Sequence, residues 1–354
     1  MNSTKSSPSS PLNVGIAGYG WWGQTLTKQL QGDLASPHFS VRALAEPSAD
    51  LRDLAEKQGQ AKGIAVYDSF EALLGHPSLD AVVLCTPHLQ HGAQILQAAR
   101  HGLHVFCEKP LCLTLADAQR AVSECQARQL VLGLGHERRF EPEVIRLRER
   151  LAQGEFGSIL QIEANFSQDK FFALAKDNWR LSNAHAPVGP LTATGIHLVD
   201  LSIALLGPCE SVWARLATLG SSFENGDTLG ILMAFPNGAN ALISAMLATP
   251  FEGRFAVYGS KGWIEIRDLT HPEQPTGWEI TECLRAQPRK TWHSEPHHAV
   301  LDNLIAFSKA ARGQGIYPIT PDEMLANVAA LEAIMKSAQS GKHTMVQSFS
   351  AHSP

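Results

Sequence analysis

The chain predicts two domains of different class: an N-terminal α/β domain on a doubly wound parallel sheet, then an α+β domain built on a large, mainly antiparallel sheet. Three observations predict this. In roughly the first 137 residues, short apolar runs alternate with helical stretches, the order that produces parallel strands with crossover helices. The first of those runs, "LNVGIA", breaks into a glycine-punctuated turn, "GYGWWG", and then a helix. Beyond residue 138, strand-like runs follow one another with turn signals such as "PNG" between them, which implies antiparallel pairing. A length of 354 residues suits two domains of ordinary size. The expected boundaries are a disordered Ser/Pro-rich tail at 1–11, the first domain at 12–137 and the second at 138–345, with the late helices free to pack back on the first domain.

Composition narrows the class of function. With 44% hydrophobic and 18% charged residues the chain is that of a soluble globular protein. Its formal net charge of -5 offers no electrostatic support for binding nucleic acid or an anionic membrane, so a small molecule is the expected partner. No apolar run approaches the roughly 20 residues that span a bilayer. "MNSTKSSPSSP" lacks the apolar core of a secretory signal, and a cytoplasmic location is expected. The six cysteines form no CxxC and no metal-ligand spacing, and read as reduced, partly buried thiols.

In the first domain, Gly18, Gly20 and Gly23 match GxGxxG between a strand and a helix. The first glycine makes the tight turn, the second admits a pyrophosphate to the backbone, and the third lets helix and strand approach. The anion then meets free N–H groups at the helix N-terminus. A second strand, "FSVRALAE", ends in Glu46, where a carboxylate either accepts hydrogen bonds from an adenosine ribose diol or is a solvated strand-end charge. On the first alternative NAD is favoured over NADP, because a carboxylate repels a 2′-phosphate. Trp21 and Trp22 either border the cofactor or pack on the helix. Ligands of such sheets lie beyond the carboxyl ends of the strands, which directs attention to Thr86, Pro87 and His88 after one strand and to Glu108, Lys109 and Pro110 after the next.

At "CEKP" the sequence resembles the Gfo/Idh/MocA oxidoreductases, named for glucose-fructose oxidoreductase, inositol dehydrogenase and a rhizopine-catabolism protein. "VGIAGYGWWG", "CTPHLQHGAQILQAARHGLHVFCEKP", "GHERRFEP" and "VYGSKGWIEI" carry the resemblance over nearly the whole chain, as do the helices at 299–312 and 322–341. It implies a Rossmann domain joined to a substrate domain, and a cofactor site of Gly18, Gly20, Trp22, Gly23, Glu46, Thr86, Pro87, His91, Glu108 and Lys109. It also implies that Lys109 holds the substrate oxygen and stabilises charge as an alcohol loses its proton. "GILMAF" is apolar at successive positions, so one face of that strand is expected on helices and the other in a homo-oligomer, dimer or tetramer, formed through the open face of the sheet.

Similar sequences often read D-x-G-x-H where this one reads "ATGIH", so the acid four positions before His197 is replaced by Ala193. His197 is then the expected general base beside Lys109, with Thr192 and Thr194 as weaker hydrogen-bonding substitutes for the acid. Asp200 either orients the imidazole or is a helix carboxylate. Arg139 and Arg180 either bind substrate or form salt bridges. No histidine spacing matches a zinc site, and no metal is expected. These residues predict an NAD(H)-dependent interconversion of a secondary alcohol and a ketone on a sugar, cyclic polyol or related compound. The alternatives are a cyclic dihydrodiol or acidic sugar as substrate, or a nucleotide-binding regulator without turnover.

Overall fold

The computed structural model describes residues 10–349, so the tail expected at 1–11 lies outside the described residues except for Ser10 and Pro11. The chain divides into two compact units, and not by a single cut. The first unit runs to Cys112 and takes in Ala116–Gly135 and Val300–Pro321; the second comprises Leu113–Leu115, His136–Ala299 and the chain from Asp322 onward.

The first unit is built on six strands: β1 (Leu12–Ala17), β2 (Phe39–Ala45), β3 (Ala65–Tyr67), β4 (Ala81–Leu84), β5 (His104–Cys107) and β6 (Leu132–Leu134). All pair in parallel, in the order β3-β2-β1-β4-β5-β6, so the order reverses between β1 and β4. Such a reversal is where open α/β sheets bind ligands. The connecting helices are α1 (Trp21–Leu30), α2 (Ala49–Gly59), α3 (Phe70–Leu74), α4 (His91–Arg100) and α5 (Leu115–Ala127). Burial on both faces explains the continuous apolar reading of these strands: Val82, Val83 and Leu84 are fully buried.

The edge at β6 is closed by residues distant in sequence. The Tyr317 hydroxyl accepts the Leu134 N–H at 3.0 Å, and Asn303 Nδ2 donates to the Leu134 carbonyl at 2.9 Å. An edge strand paired this way offers little to a stray chain. Gly133 sits inside the strand because a Cβ there would meet the rings of Phe106 and Phe307, each at 2.8 Å. Asn303 and Phe307 lie on α8 (Ala299–Ala311).

The second unit carries α6 (Pro142–Ala152), α7 (Ile196–Leu206), α9 (Pro321–Ser340) and nine strands. The strands are β7 (Ile159–Ser167), β8 (Ser211–Ala217), β9 (Thr228–Ala234), β10 (Asn240–Met246), β11 (Glu252–Gly259), β12 (Gly262–Asp268), β13 (Trp278–Leu284), β14 (Lys290–Ser294) and β15 (Thr344–Met345). Their order is β14-β13-β12-β11-β7-β10-β9-β8-β15. Every pair is antiparallel except β7 with β10, which the long intervening chain permits to run parallel. β14 escapes the apolar-run reading because Trp292 is its one apolar residue, and β13 because it follows the proline-rich "HPEQPTG".

Every residue from Ile196 to Ile203 of α7 is buried, so this largely apolar helix is enclosed and its polar residues His197, Asp200 and Ser202 are buried with it. In β9, Leu229, Ile231 and Met233 enter the core while Leu232 faces outward.

A Cβ added at Gly23 would lie 1.9 Å from the Gly18 carbonyl oxygen, whereas one at Gly20 would have nothing within 4 Å. Gly23→Ala is therefore expected to cost on the order of 1–3 kcal/mol through overpacking. Calorimetry should show a lower melting temperature for Gly23→Ala and little change for Gly20→Ser.

Candidate functional site

The glycine turn of the first unit has the geometry a dinucleotide requires. Gly18 adopts φ +88°, and a side chain there would strike the Cys85 carbonyl oxygen at 2.8 Å. Gly23 brings α1 onto the turn, and the open space beside Gly20 lies at the start of α1, which has no side-chain cap. In general the N–H groups of a helix's first turn can serve as donors for a pyrophosphate.

Glu46 is buried beside the same turn and is not a solvated charge. Its Oε2 accepts the Tyr19 N–H at 2.7 Å and its Oε1 accepts the Ser48 N–H at 2.9 Å. Two backbone donors fix the carboxylate while leaving lone pairs for a diol. Arg52, which belongs to no motif in the sequence, donates through Nη1 to the Glu46 and Pro47 carbonyls at 3.0 and 3.1 Å.

The loops after β4 and β5 are pinned to one another. His91, expected at the cofactor, is instead wholly buried: Nδ1 lies 2.8 Å from the Pro110 carbonyl and Nε2 lies 2.9 Å from the Thr86 carbonyl. Burial lowers its basicity, and the two carbonyls act against that shift. The Thr86 hydroxyl donates to Gln94 Oε1 at 2.5 Å. Pro87 follows, half-buried. The buried Glu108 carboxylate lies against Gly135, where a Cβ would meet Oε2 at 2.5 Å. Lys109 is partly exposed and joined to Pro110 by a cis peptide bond. Trp22 is half-buried with its ring centroid 5.6 Å from that of the exposed Trp21.

In the second unit, Leu191–Gly195 forms a single π-helical turn that leads into α7. Such turns widen a helix locally and often carry function. From Val188 to Asp200 every residue is buried except Ala193, which is partly exposed. Ala193 packs against a small apolar cluster of Leu181, Phe223 and Leu247, with Phe171 and Leu174 beside it. Thr192 and Thr194, expected at the substrate, are about 1% exposed and turn their hydroxyls back to the carbonyls of Gly189 and Pro190 at 3.4 and 3.2 Å. Within the widened turn those hydroxyls serve the backbone.

His197 is buried, edge-on to His136 with centroids 5.8 Å apart and against Phe166 at 6.0 Å. Its Nδ1 lies 3.7 Å from Glu137 Oε1. Asp200 is engaged elsewhere: Arg139 donates to it through Nε and Nη2 at 2.7 and 2.8 Å, and His136 Nε2 lies 3.7 Å away. Arg139 also donates to Glu323 at 2.6 Å, so it takes the salt-bridge alternative. Arg180 stacks over Trp179 with its guanidinium carbon 4.3 Å from the ring centroid.

Asn225 and Asp227 hold this region, and neither belongs to a motif that marks it in the sequence. Asn225 Nδ2 donates to the carbonyls of Arg180 and Ala186 at 2.8 and 2.7 Å, and a Cβ at Gly189 would meet Asn225 Oδ1 at 2.8 Å. The Asp227 carboxylate accepts the N–H groups of Leu219, Gly220 and Ser221 and the hydroxyls of Ser221 and Thr228. Desolvation alone would raise its pKa, but these hydrogen bonds hold it at about 2. Among the described residues, no group of three His, Cys, Asp or Glu side chains is arranged to hold a metal ion.

A glycine cradle at the switch point of a parallel sheet, ahead of a second unit with a broad mixed sheet, defines a nicotinamide-dinucleotide-binding oxidoreductase. Residues 12–136 match the oxidoreductase family with an NAD-binding Rossmann fold, and residues 144–265 match the GFO/IDH/MocA C-terminal domain. The chain belongs to the Gfo/Idh/MocA family and is an NAD(P)-dependent oxidoreductase.

Among its relatives is 1,5-anhydro-D-fructose reductase of Ensifer adhaerens, 30% identical over 79% of this chain and 83% of the relative. Another is trans-1,2-dihydrobenzene-1,2-diol dehydrogenase of Bos taurus, 26% identical over 92% of this chain and 96% of the relative. Aldose-aldose oxidoreductase from Caulobacter crescentus, solved with glycerol, superposes with a TM-score of 0.81 at 25% identity, covering 95% of this chain and 99% of that one.

Because the Asp227 pKa is lowered from 3.8 to about 2 on folding, the unfolded chain binds more protons there in acid. The stability this group contributes is whole above pH 3.8 and is lost as the pH falls through about 2. Urea unfolding at descending pH should show a smaller acid-induced loss in Asp227→Asn than in the wild type.

Proposed function

We propose that the protein interconverts a secondary alcohol and a ketone on a small ring compound carrying hydroxyl groups, a sugar or cyclic polyol, with NAD(H) preferred. The observation that carries the reading is His197, a buried imidazole at the head of an apolar helix, one turn from the partly exposed Ala193, in a chain that also builds a dinucleotide cradle. The bound nicotinamide supplies the hydride acceptor or donor. In the oxidative direction His197 accepts the hydroxyl proton. The Lys109 ammonium hydrogen-bonds the same oxygen and stabilises the charge it gains. Glycines 18, 20 and 23 leave room for the pyrophosphate, and Glu46 faces the ribose diol. The preference for NAD rests on Glu46, whose carboxylate is tied down by two N–H groups and cannot withdraw from a 2′-phosphate.

A second reading is favoured by one feature. The apolar cluster against which Ala193 packs, Leu181, Phe223 and Leu247 with Phe171 and Leu174 beside it, suits a ring with a hydrocarbon edge. A cyclic dihydrodiol of the kind named for the bovine relative has that edge. Arg180 remains the candidate for a substrate carboxylate.

The exposed face of the large sheet supports self-association. Trp213, Leu232 and Leu242 are cross-strand partners on β8, β9 and β10, with 41%, 39% and 42% exposure. A row of apolar side chains across three strands fits a second copy of the same face. Light scattering on Leu232→Glu should then report a smaller assembly than the wild type; an unchanged mass removes this face from the interface.

His197→Ala should lose at least about 100-fold in kcat for alcohol oxidation, measured with trans-1,2-dihydrobenzene-1,2-diol and a panel of sugars, while NADH titration is nearly unchanged. Wild-type turnover in that variant removes His197 from the mechanism. Glu46→Ser should weaken NADH binding more than NADPH binding by calorimetry, and the reverse order contradicts the ribose assignment.

A further inference from the structure

An imidazole that accepts a proton at one nitrogen works best when a partner at the other fixes its tautomer and balances the charge it acquires. The neighbours of His197 along its own stretch of helix do not serve. One turn earlier stands Ala193, which has no polar side chain, and one turn later Asp200 receives two hydrogen bonds from Arg139 and faces His136. The carboxylate that approaches Nδ1 comes from a different element, the short helical turn Glu137–Phe140, through Glu137 Oε1 at 3.7 Å.

We propose that Glu137 is the positioning residue for His197, taking the Nδ1 proton as a hydrogen-bond acceptor so that Nε2 carries the lone pair. This rests on His197 being the proton acceptor. In the oxidative step the O–H bond of the substrate breaks and its proton forms an N–H bond at Nε2, while a bound nicotinamide would be the acceptor for the carbinol hydride. Glu137 stays ionised throughout and balances the imidazolium without taking its proton.

The turn that bears Glu137 is held in place by the two residues that follow it. Arg138 is buried, donates to Asp268 at 2.7 and 2.9 Å and lies 3.1 Å from Glu141. Arg139 is held by Asp200 and Glu323. The two side chains, His197 and Glu137, are about 5% and 15% exposed, so their attraction is weakly screened. The distance is longer than a hydrogen bond, as catalytic contacts often are before substrate closes around them.

Other titratable or charged groups stand around the imidazole. His136 meets its ring edge, and Asp200 and Arg139 lie behind His136. Phe166, whose ring centroid is 6.0 Å from that of His197, also neighbours Arg138, 5.4 Å from its ring, and His271, 5.6 Å from it. Glu137 Oε1 is the charged atom paired with Nδ1, at 3.7 Å, and the charge of Arg138 also acts on Glu137.

The test is nitrogen-15 NMR of the histidine rings in the full-length protein with NADH bound, with the His197 signal assigned by its loss in His197→Gln. The expected wild-type ring is the Nδ1–H tautomer. In Glu137→Gln the titration midpoint of His197 should fall by about 1 pH unit, since an opposite charge favours the protonated ring. Glu137→Asp should restore at least part of that shift. A wild-type Nε2–H tautomer, or an unchanged midpoint in Glu137→Gln, overturns the proposal. If neither variant folds, the wild-type tautomer alone decides it. Because the readout is independent of turnover, an active His197→Ala would refute the base assignment without altering this result, and the two failures are distinguishable.

Discussion

Two adjacent arginines organise the second unit. Arg138 ties the turn after residue 136 to Asp268 at the end of β12 and to Glu141, and Asp268 in turn accepts the Trp278 indole N–H at 2.9 Å. Arg139 ties the same turn to Asp200 on α7 and Glu323 on α9. Neighbouring residues thus reach one sheet strand directly, a second through Asp268, and two helices. Burying these charges carries a desolvation cost, and removing one partner from such a pair typically costs about 3–5 kcal/mol because it strands the other. Their value lies in geometry: they permit one placement of α7, and with it one placement of His197.

The first unit depends on close approach more than on charge. Gly23 sits where no side chain fits, and Gly18 lies against the backbone of the loop after β4. His91 extends the same logic, joining the loop after β4 to the loop after β5 through two carbonyls. Asn225 and Asp227 do comparable work in the second unit, where they gather backbone groups of the loops flanking the π-helical turn.

Much of this architecture is legible in the order of the residues. The parallel sheet follows from strands that are apolar on both faces and separated by helices, and the glycine turn follows from spacing that admits few other geometries. The strands β13 and β14 are less legible, because "WEITECL" follows a proline-rich stretch and Trp292 is the one apolar residue of "KTWHS". The position of Glu137 is not legible, since an acid within "GHERRF" looks like the local partner of its own arginines. In the fold those arginines bond Asp268, Asp200 and Glu323, and the acid, still acted on by the charge of Arg138, also lies 3.7 Å from His197.

By itself, then, the sequence determined the class of each unit, the glycine cradle and the identity of the residues capable of proton transfer, because these follow from local periodicity and from what glycine and imidazole can do. The tertiary structure alone decided the partners. Whether a threonine hydroxyl faces a ligand or its own helix, and which of two carboxylates an imidazole meets, depends on how distant stretches of chain pack together. Thr192 and Thr194 turned to the backbone, and Asp200 went to Arg139 because a bidentate guanidinium is a stronger partner for a buried carboxylate than a histidine ring.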